Sequence, residues 1–331
     1  YTLHTLFPYT TLFRSRELIC DRILQMYKGI TALSEARTPQ HQYDGSGSRI
    51  GFRPSTTPPE VMVEQWKLYL IVACTTLTEM GGPQLQPATQ MQQHLRNGSK
   101  TVQVQPKINS ARTLFKYILP LLSVGHPSVR EAVVVALGSI NINIYKVLLE
   151  ELQDAVSRCN DDARARIHQR TGSSSRRSRR TDTLRTEVTQ VYRLTAHFLR
   201  EESVYSDDWI LNNLVVYAKD LKLFLMDGEV QMDWEFQKLR RHYCGLMEEL
   251  FEGINRTKDP SRWMTFEMRK SSFALMEDWC GYSPNQVQIQ NREEIMKQSM
   301  IDRQTIGERP TINAARSEER RVGKECMERV D

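Results

Sequence analysis

Apolar residues recur along this chain at intervals of three and four positions, which is the spacing of one face of an α-helix. The clearest example runs from Met232 to Pro284 and is interpreted as two amphipathic helices joined by a short turn. Gly253 is predicted to end the first helix in a left-handed cap, and Asp259-Pro260 to begin the second. The first helix has an apolar face made of Phe236, Leu239, Tyr243, Leu246, Leu250 and Ile254.

The second helix of this hairpin carries its own apolar stripe, and Gly281 and Pro284 are predicted to stop it. The stripe consists of Trp263, Phe266, Phe273, Met276 and Cys280. The pair therefore offers two apolar faces for packing and no obvious catalytic group.

The same spacing predicts helices in most of the remaining chain. The stretch 60–80 is apolar nearly all round, which predicts burial between neighbouring helices. The stretch 38–59 is rich in Gly, Ser, Thr and Pro and is predicted to be a linker, and 81–107 is predicted to be a Gln-rich loop. The other predicted helices cover 16–37, 108–122, 126–140, 141–156, 183–201, 207–226 and 286–303.

No sustained alternation with a period of two is present, so strands are not expected and the fold class is predicted to be all-α. The segment that starts at Val129 resembles the inner helix of a HEAT repeat, in which an arginine such as Arg130 commonly reaches a neighbouring carboxylate. Helix pairs recur through 108–306. We therefore predict a HEAT/armadillo-like α-solenoid fragment of stacked antiparallel helix pairs, with long disordered loops.

Both ends of the chain look foreign to this pattern. The peptides TLFPYTTLFRS, 5–15, and RSEERRVGKEC, 316–326, look like translations of the two strands of one short sequencing adapter. We therefore expect 1–15 to be unstructured and 307–331 to be disordered, with adapter-derived sequence from about 316. The interpretable part would then be an internal fragment of a longer protein.

A basic, Ser-rich stretch interrupts the helical pattern at 160–182 and is predicted to be a disordered insertion. Ser173 follows Arg170 by three residues, as in substrates of basophilic kinases, so it is a candidate phosphorylation site. Contact with an acidic partner, nuclear import and RNA binding are alternatives. The stretch lacks the interleaved aromatic residues that stack on RNA bases.

Composition places few limits on function. The hydrophobic fraction of 40% can sustain a core, and the net charge of +5 does not by itself indicate nucleic acid. The six cysteines form no C-x-x-C pair, which favours a reducing, cytosolic setting. His242 and Cys244 are spaced so that a helix points them apart, which argues against zinc. No nucleotide-binding or hydrolase motif is present, so we expect neither an enzyme nor a cofactor.

The stretch WEFQKLRRHYCGLMEELFEGINRTKDPSRWMTFEMRKSSFALMEDWCGYSPNQ, 234–286, together with DWILNNLVVYAKDLKLFLMD before it, resembles the fungal branch of the Furry family. The similarity extends over most of Arg16 to about Arg309. It implies a segment of a very large cell-morphogenesis protein built from HEAT/armadillo-like repeats. Such proteins are non-catalytic scaffolds for NDR-family kinases and Mob-type co-activators. They control polarised growth, in the cytoplasm and at the cell cortex.

A solenoid scaffold binds partners through contacts distributed along its surface. Basic residues around the hairpin could face an acidic protein partner, although ordinary surface charge would look the same. An importin-like or RNA-binding adaptor is the alternative function, and no small-molecule substrate is expected. The candidate partner-binding residues are Lys238, Arg240, Arg241, Arg256, Lys258, Arg262, Arg269 and Lys270.

Overall fold

The computed structural model describes residues 7–35, 58–79, 107–169 and 179–280, together with residue 297 alone. Every regular element in these ranges is helical, which confirms the predicted all-α class. Four short 3-10 turns lie at Leu119–Ser123, Ile142–Ile144, Ala196–Arg200 and Trp234–Phe236. The α-helices are α1 (Phe7–Glu35), α2 (Pro59–Thr76), α3 (Ala111–Ile118), α4 (Pro127–Gly138), α5 (Tyr145–Glu151), α6 (Gln153–Gln169), α7 (Arg179–Thr195), α8 (Glu202–Tyr205), α9 (Asp208–Leu225), α10 (Gly228–Met232), α11 (Gln237–Asn255), α12 (Pro260–Trp263) and α13 (Phe266–Cys280).

The first helices form a compact unit that covers 1–151. Its helix α1 begins at Phe7, earlier than the predicted start at Arg16, because adding turns to an established helix is easier than nucleating one. Helix α2 packs against both α1 and α4, and α3 packs against α5. Asn141 caps the start of the turn that leads into α5, since its side chain accepts from the N–H of Asn143.

Helix α2 is only partly buried, which corrects the prediction of burial on all sides. Trp66, Leu70 and Cys74 are fully buried. Val61 and Leu68 are 44% and 60% exposed, and they lie seven positions apart on one helical face. One face of α2 is therefore apolar but exposed, because α1 and α4 do not cover it.

The HEAT-like arginine makes a contact that the sequence did not predict. Arg130 Nη1 donates to the carbonyl oxygen of Val124 at 2.8 Å, which ties the first turn of α4 to the segment before it. This hydrogen bond helps to fix the entry of the chain into the helix. A contact with a backbone carbonyl cannot be predicted from side-chain types.

The second compact unit covers 152–331, and α11 is its central helix. This helix packs against α7 and α9. The predicted apolar face is confirmed, since all six of its residues are at most 3% exposed. Phe251 stacks on Phe273 and Tyr243 meets Trp279 edge to face, so α13 packs on the same helix.

Gly253 does not end α11, which continues to Asn255. A Cβ at this position would lie 2.7 Å from the Cβ of Leu199. The glycine therefore permits close approach of two backbones, and the predicted left-handed cap is wrong. The predicted N-cap at Asp259 is confirmed, because its carboxylate accepts from the N–H groups of Ser261 and Arg262.

The second helix of the hairpin is broken into α12 and α13, and its predicted stripe is only partly buried. Met276 and Cys280 are buried, whereas Phe266 is 64% exposed at the first turn of α13. The break after Trp263 changes the rotation of the following helix, so Phe266 no longer faces the core. The predicted stop at Gly281 and Pro284, and the predicted helix 286–303, lie outside the described residues.

The predicted disordered insertion at 160–182 is mostly helical. Helix α6 continues to Gln169 and α7 begins at Arg179, so only 170–178 lie outside the described residues. Four charged residues hold the two helices together. Arg166 pairs with Asp162 and Asp182 at 2.9 and 2.6 Å, and Arg185 pairs with the same two carboxylates at 3.1 and 3.0 Å. Arg166, one of the arginines that suggested a solvated loop, is therefore paired within a helical interface.

Within the described ranges, no single helix is long and apolar enough to cross a membrane. Pro127–Gly138 and Ile142–Glu151 reach that length and composition only as a pair, which is bent by 106°.

Candidate protein-interaction surface

The predicted basic cluster is not a uniform surface, because one of its members is buried. Arg240 is 2% exposed, and its Nη1 donates to the backbone carbonyls of Val230 and Asp233 at 3.3 and 3.1 Å. Its guanidinium therefore ties α11 to the turn that precedes it. Arg240 is excluded as a partner-binding residue.

Three other members of the cluster form ion pairs with neighbouring helices or turns. Lys238 lies 3.5 Å from Glu187, Arg256 lies 2.8 Å from Glu252, and Arg262 lies 2.6 Å from Asp208. Arg262 also covers the ring of Trp263 at 4.7 Å. These contacts neutralise much of the charge that the sequence suggested for an acidic partner.

The remaining members differ in exposure. Arg241 and Arg269 are half-buried, whereas Lys258 and Lys270 are exposed. In the part of the chain that the structure describes, Lys258 and Lys270 make no ion pair. They are the two lysines of the cluster that are best placed to meet a partner. Ser173 lies outside the described residues.

An apolar groove opens on the second unit between α9, α11 and α13, with a volume of about 300 Å³. We call it the methionine groove, because four methionines line it: Met226, Met247, Met264 and Met268. Leu223, Ala218 and Tyr243 add apolar surface, and Ser272 contributes a hydroxyl. Methionine side chains are flexible and polarisable, which suits a surface that must fit the side chains of another protein.

The charge at the methionine groove is positive. Lys219 and Lys222 are its only charged lining residues within the described ranges, and no carboxylate lines it there. Lys222 Nζ donates to Ser271 Oγ, which joins α9 to α13 across the groove. Partial burial lowers the pKa of Lys222 from its ordinary value. An acidic partner group would therefore gain from contact with this rim.

Helix α9 carries apolar residues on two faces, and this is a signal for the groove in the sequence. One face is buried, with Ile210, Leu214 and Leu221 at most 4% exposed. Val216, Leu223 and Met226 lie off that face and are 45%, 69% and 50% exposed. Apolar residues on the outer face of an amphipathic helix indicate a surface for binding another protein.

Three buried cysteines and the buried His242 are held in their neutral forms. Burial raises the pKa of the Cys20 and Cys159 thiols to about 11, and raises that of Cys74 further. Burial, with Arg193, Lys238 and Arg241 nearby, lowers the pKa of His242 to about 2. A neutral thiol is a poor nucleophile, and a histidine that stays neutral cannot act as a proton donor near pH 7.

No group of three His, Cys, Asp or Glu residues that could hold a metal ion is found among the described residues. His242 and Cys244 are both buried in α11 and belong to its packing. The features of these ranges that suit a function are the methionine groove and the exposed Lys258 and Lys270, which could contact a protein partner.

Comparison with known proteins gives two long matches in yeasts. The chain is 29% identical over 284 residues to the Cell morphogenesis protein PAG1 of Saccharomyces cerevisiae, and the alignment covers 85% of this chain and 11% of that protein. The chain is 30% identical over 301 residues to the Cell polarity protein mor2 of Schizosaccharomyces pombe, and the alignment covers 88% of this chain and 13% of that protein. The chain thus spans only about an eighth of the length of these relatives.

No family model matches the chain, and no solved structure matches it. The two relatives are Furry-family cell-morphogenesis proteins, so the resemblance found in the sequence is confirmed. Over most of its length, this chain is a homologue of one segment of the Furry-family proteins of fungi.

Proposed function

We propose that this chain is part of a non-catalytic scaffold that acts in polarised growth and cell morphogenesis. In this proposal it helps to hold an NDR-family kinase and its Mob-type co-activator, in the cytoplasm and at cortical sites of growth. The kinase and its co-activator come from the family resemblance. The remaining support comes from the relatives and from the surfaces of the described residues.

The observation that carries this proposal is the pair of relatives named for cell morphogenesis and cell polarity. Both align with more than four fifths of the chain. Homologous segments of one family commonly keep their role. A role in morphogenesis is therefore the function that the relatives best support for this chain.

The surfaces described above fit a protein-binding role. Arg240, Lys238, Arg256 and Arg262 have partners within the chain, so they contribute less to binding than their charge suggests. Lys258 and Lys270 and the methionine groove are exposed. We expect a scaffold contact to use this second set.

Binding of the purified chain to a purified NDR-family kinase–Mob complex tests the proposal. Surface plasmon resonance should give saturable binding with a Kd of about 1–100 μM, a range typical of one segment of a larger interface. Lys258→Glu with Lys270→Glu should weaken binding, because acidic groups on the partner would then meet negative charge. Lys28→Glu with Lys116→Glu is the matched control, because both lysines are exposed in the first unit and the change in net charge is the same.

Absence of kinase–Mob binding by the folded chain would contradict the proposed partner. The importin-like or RNA-binding alternative makes a different prediction for the same preparation. It requires salt-sensitive binding to RNA that is lost when 164–180 are deleted. RNA binding without kinase–Mob binding would replace the scaffold proposal with that alternative.

A further inference from the structure

We propose that the methionine groove binds an amphipathic helix of a partner protein whose apolar face is flanked by Asp and Glu residues. This inference rests on the proposed function in one respect, namely that the chain works by binding proteins. It goes further by assigning the binding site and the chemistry of its occupant.

Much apolar surface is left open at one place on the second unit. Leu223 is 69% exposed and Met226 is 50% exposed, and both line the groove. Met264 and Met268 also line it, so the apolar surface continues from α9 to the start of α13. Large apolar side chains that are exposed together around a concave site mark an interaction surface.

The exposed strip on α9 has a length that suits a helix. Leu223 and Met226 line the groove, and Val216, which is 45% exposed, continues the same outer face two turns earlier. At 1.5 Å per residue, the strip from 216 to 226 is about 15 Å long. That length matches about three turns of a partner helix, whose side chains at positions i, i+3 or i+4, and i+7 would lie along the groove and this strip.

The charge of the groove favours an acidic occupant. Lys219 and Lys222 line the groove, and no carboxylate lines it within the described ranges. Acidic residues beside the partner's apolar face would pair with these two lysines. A partner with basic flanks would meet like charge at the same positions. The lysines therefore strengthen binding of an acidic helix and also weaken binding of a basic one.

The same charges argue against a second copy of this chain as the occupant. In a two-fold dimer each protomer presents the same surface to the other. Lys219 and Lys222 of one protomer would then lie against the corresponding lysines of its partner. Such a contact places like charges together beside an apolar interface, which is unfavourable.

A pair of synthetic peptides can test both the site and the charge preference. Both are about 16 residues long and share one apolar face of Leu and Met at helical spacing. One carries Glu on its flanks and the other carries Lys. Fluorescence anisotropy with the full chain should show that the Glu peptide binds about tenfold more tightly than the Lys peptide.

Substitutions in the groove should change this binding in a defined way. Leu223→Glu should weaken the Glu peptide at least tenfold, because it places a negative charge in the apolar groove. Leu68→Glu is a matched control, since Leu68 is 60% exposed on α2 in the other unit. Lys219→Glu should reduce or reverse the preference for the Glu peptide. Far-UV circular dichroism and the thermal midpoint should remain unchanged in all three, because the altered positions are exposed.

Three results would overturn the inference. The first is that the two peptides bind equally well, or that Leu223→Glu and Leu68→Glu weaken binding of the Glu peptide by the same factor. The second is a dimer in analytical ultracentrifugation that Leu223→Glu dissociates, which would make a second copy the occupant. The third is a cross-link from a photoreactive residue at position 223 to residues after 280 of the same chain, which would make the chain its own ligand.

The outcome is separable from that of the kinase–Mob experiment. Specific binding of the Glu peptide without kinase–Mob binding would retain the groove and reject the proposed partner. Kinase–Mob binding that Leu223→Glu does not affect, with no peptide binding, would retain the scaffold and reject the groove.

Discussion

Asn141 joins two helices of the first unit through both ends of its amide. Its Oδ1 accepts from the N–H of Asn143, and its Nδ2 lies 3.4, 3.2 and 3.0 Å from the carbonyl oxygens of Cys74, Thr75 and Leu77. The last carbonyls of an α-helix have no partner within the helix. One side chain therefore satisfies the C-terminal end of α2 and also starts the turn that leads into α5.

Replacing Asn141 should separate these two roles. Asn141→Ala removes both and should lower the free energy of unfolding by about 1–2 kcal/mol. Asn141→Asp keeps the acceptor for Asn143 and places a carboxylate against three carbonyls at the negative end of a helix dipole. We expect the aspartate variant to be the less stable of the two in urea denaturation. An aspartate variant that is equal to or more stable than the alanine variant would contradict this account of the cap.

His242 makes the second unit sensitive to moderate acid. Its side chain is fully buried, and its Nδ1 lies 3.3 Å from Nη1 of Arg193. Its pKa is about 2 in the folded chain and about 6.5 in an unfolded one. A depressed folded pKa means that the unfolded state takes up the proton first. The stability that depends on neutral His242 is therefore present above pH 6.5 and is lost as the pH falls below it.

Between pH 7 and pH 5, this uptake should lower the free energy of unfolding by about 2 kcal/mol. His242→Asn keeps an acceptor near Arg193 and removes the titrating group. The variant should therefore lose about 2 kcal/mol less than the parent chain over the same interval. Urea denaturation at the two pH values measures the difference. An identical pH dependence in both proteins would show that His242 is protonated without penalty in the folded state.

Two glycines of α11 allow close packing, and they should respond differently to a methyl group. A Cβ at Gly253 would lie 2.7 Å from Leu199 Cβ, next to the backbone of a neighbouring turn. A Cβ at Gly245 would lie 2.6 Å from Nε of Arg193, on a long side chain that can rotate away. We expect Gly253→Ala to destabilise the chain by about 1–3 kcal/mol.

Gly245→Ala should be close to neutral, since the gain in helix propensity of about 1 kcal/mol offsets the displacement of Arg193. Thermal denaturation of the two variants under the same conditions gives the comparison. If Gly253→Ala were no less stable than Gly245→Ala, close approach of the backbones would not be the reason for the glycine at position 253.

Helices α6 and α7 show where the sequence misled and why. Clustered Arg and Ser predicted a disordered insertion at 160–182, but Asp162 and Asp182 of this stretch pair with Arg185, which is 3% exposed. Arg185 also donates to the carbonyl of Cys159 at 2.7 Å and lies 3.7 Å above the ring of Phe224 on α9. Composition alone suggests solvated charge here, because it does not show that α6, α7 and α9 meet.

This buried cluster should contribute strongly to the α6–α7 interface. Arg185→Ala should lower the free energy of unfolding by about 3 kcal/mol or more, because two carboxylates would lose a buried partner. Arg164→Ala is the control, since Arg164 pairs with Asp161 at 3.2 Å on the exposed side of α6. The control should leave the urea midpoint unchanged. Equal effects of the two substitutions would show that the buried ion pairs do not hold these helices together.

The hairpin of α11, α12 and α13 separates what periodicity can predict from what it cannot. The buried face of α11 and the cap at Asp259 were predictable, because both depend on local spacing and on one side chain. The exposure of Phe266 and the burial of Arg240 were not, because they depend on a helix break and on backbone carbonyls supplied by a turn. The methionine groove was partly predictable, since Val216, Leu223 and Met226 lie off the buried face of α9.

The chain is a homologue of a segment of proteins named for morphogenesis and polarity, and the part that the structure describes is all-α. Its fold class followed from the spacing of apolar residues, and its family followed from the residues of the hairpin. The partner-binding residues did not follow from either, because charge in the sequence does not show which side chains already have partners. Three of the eight basic candidates form ion pairs and a fourth is buried.

Replacement of the matching segment in the Schizosaccharomyces pombe relative by this chain tests the proposed role most directly. The measurement is the length-to-width ratio of cells that express the chimera at the level of the natural protein. The proposal predicts elongated cells, and it predicts a lower ratio when the inserted chain carries Leu223→Glu. A chimera present at normal level in cells as rounded as those that lack the segment would contradict a role for this chain in polarised growth.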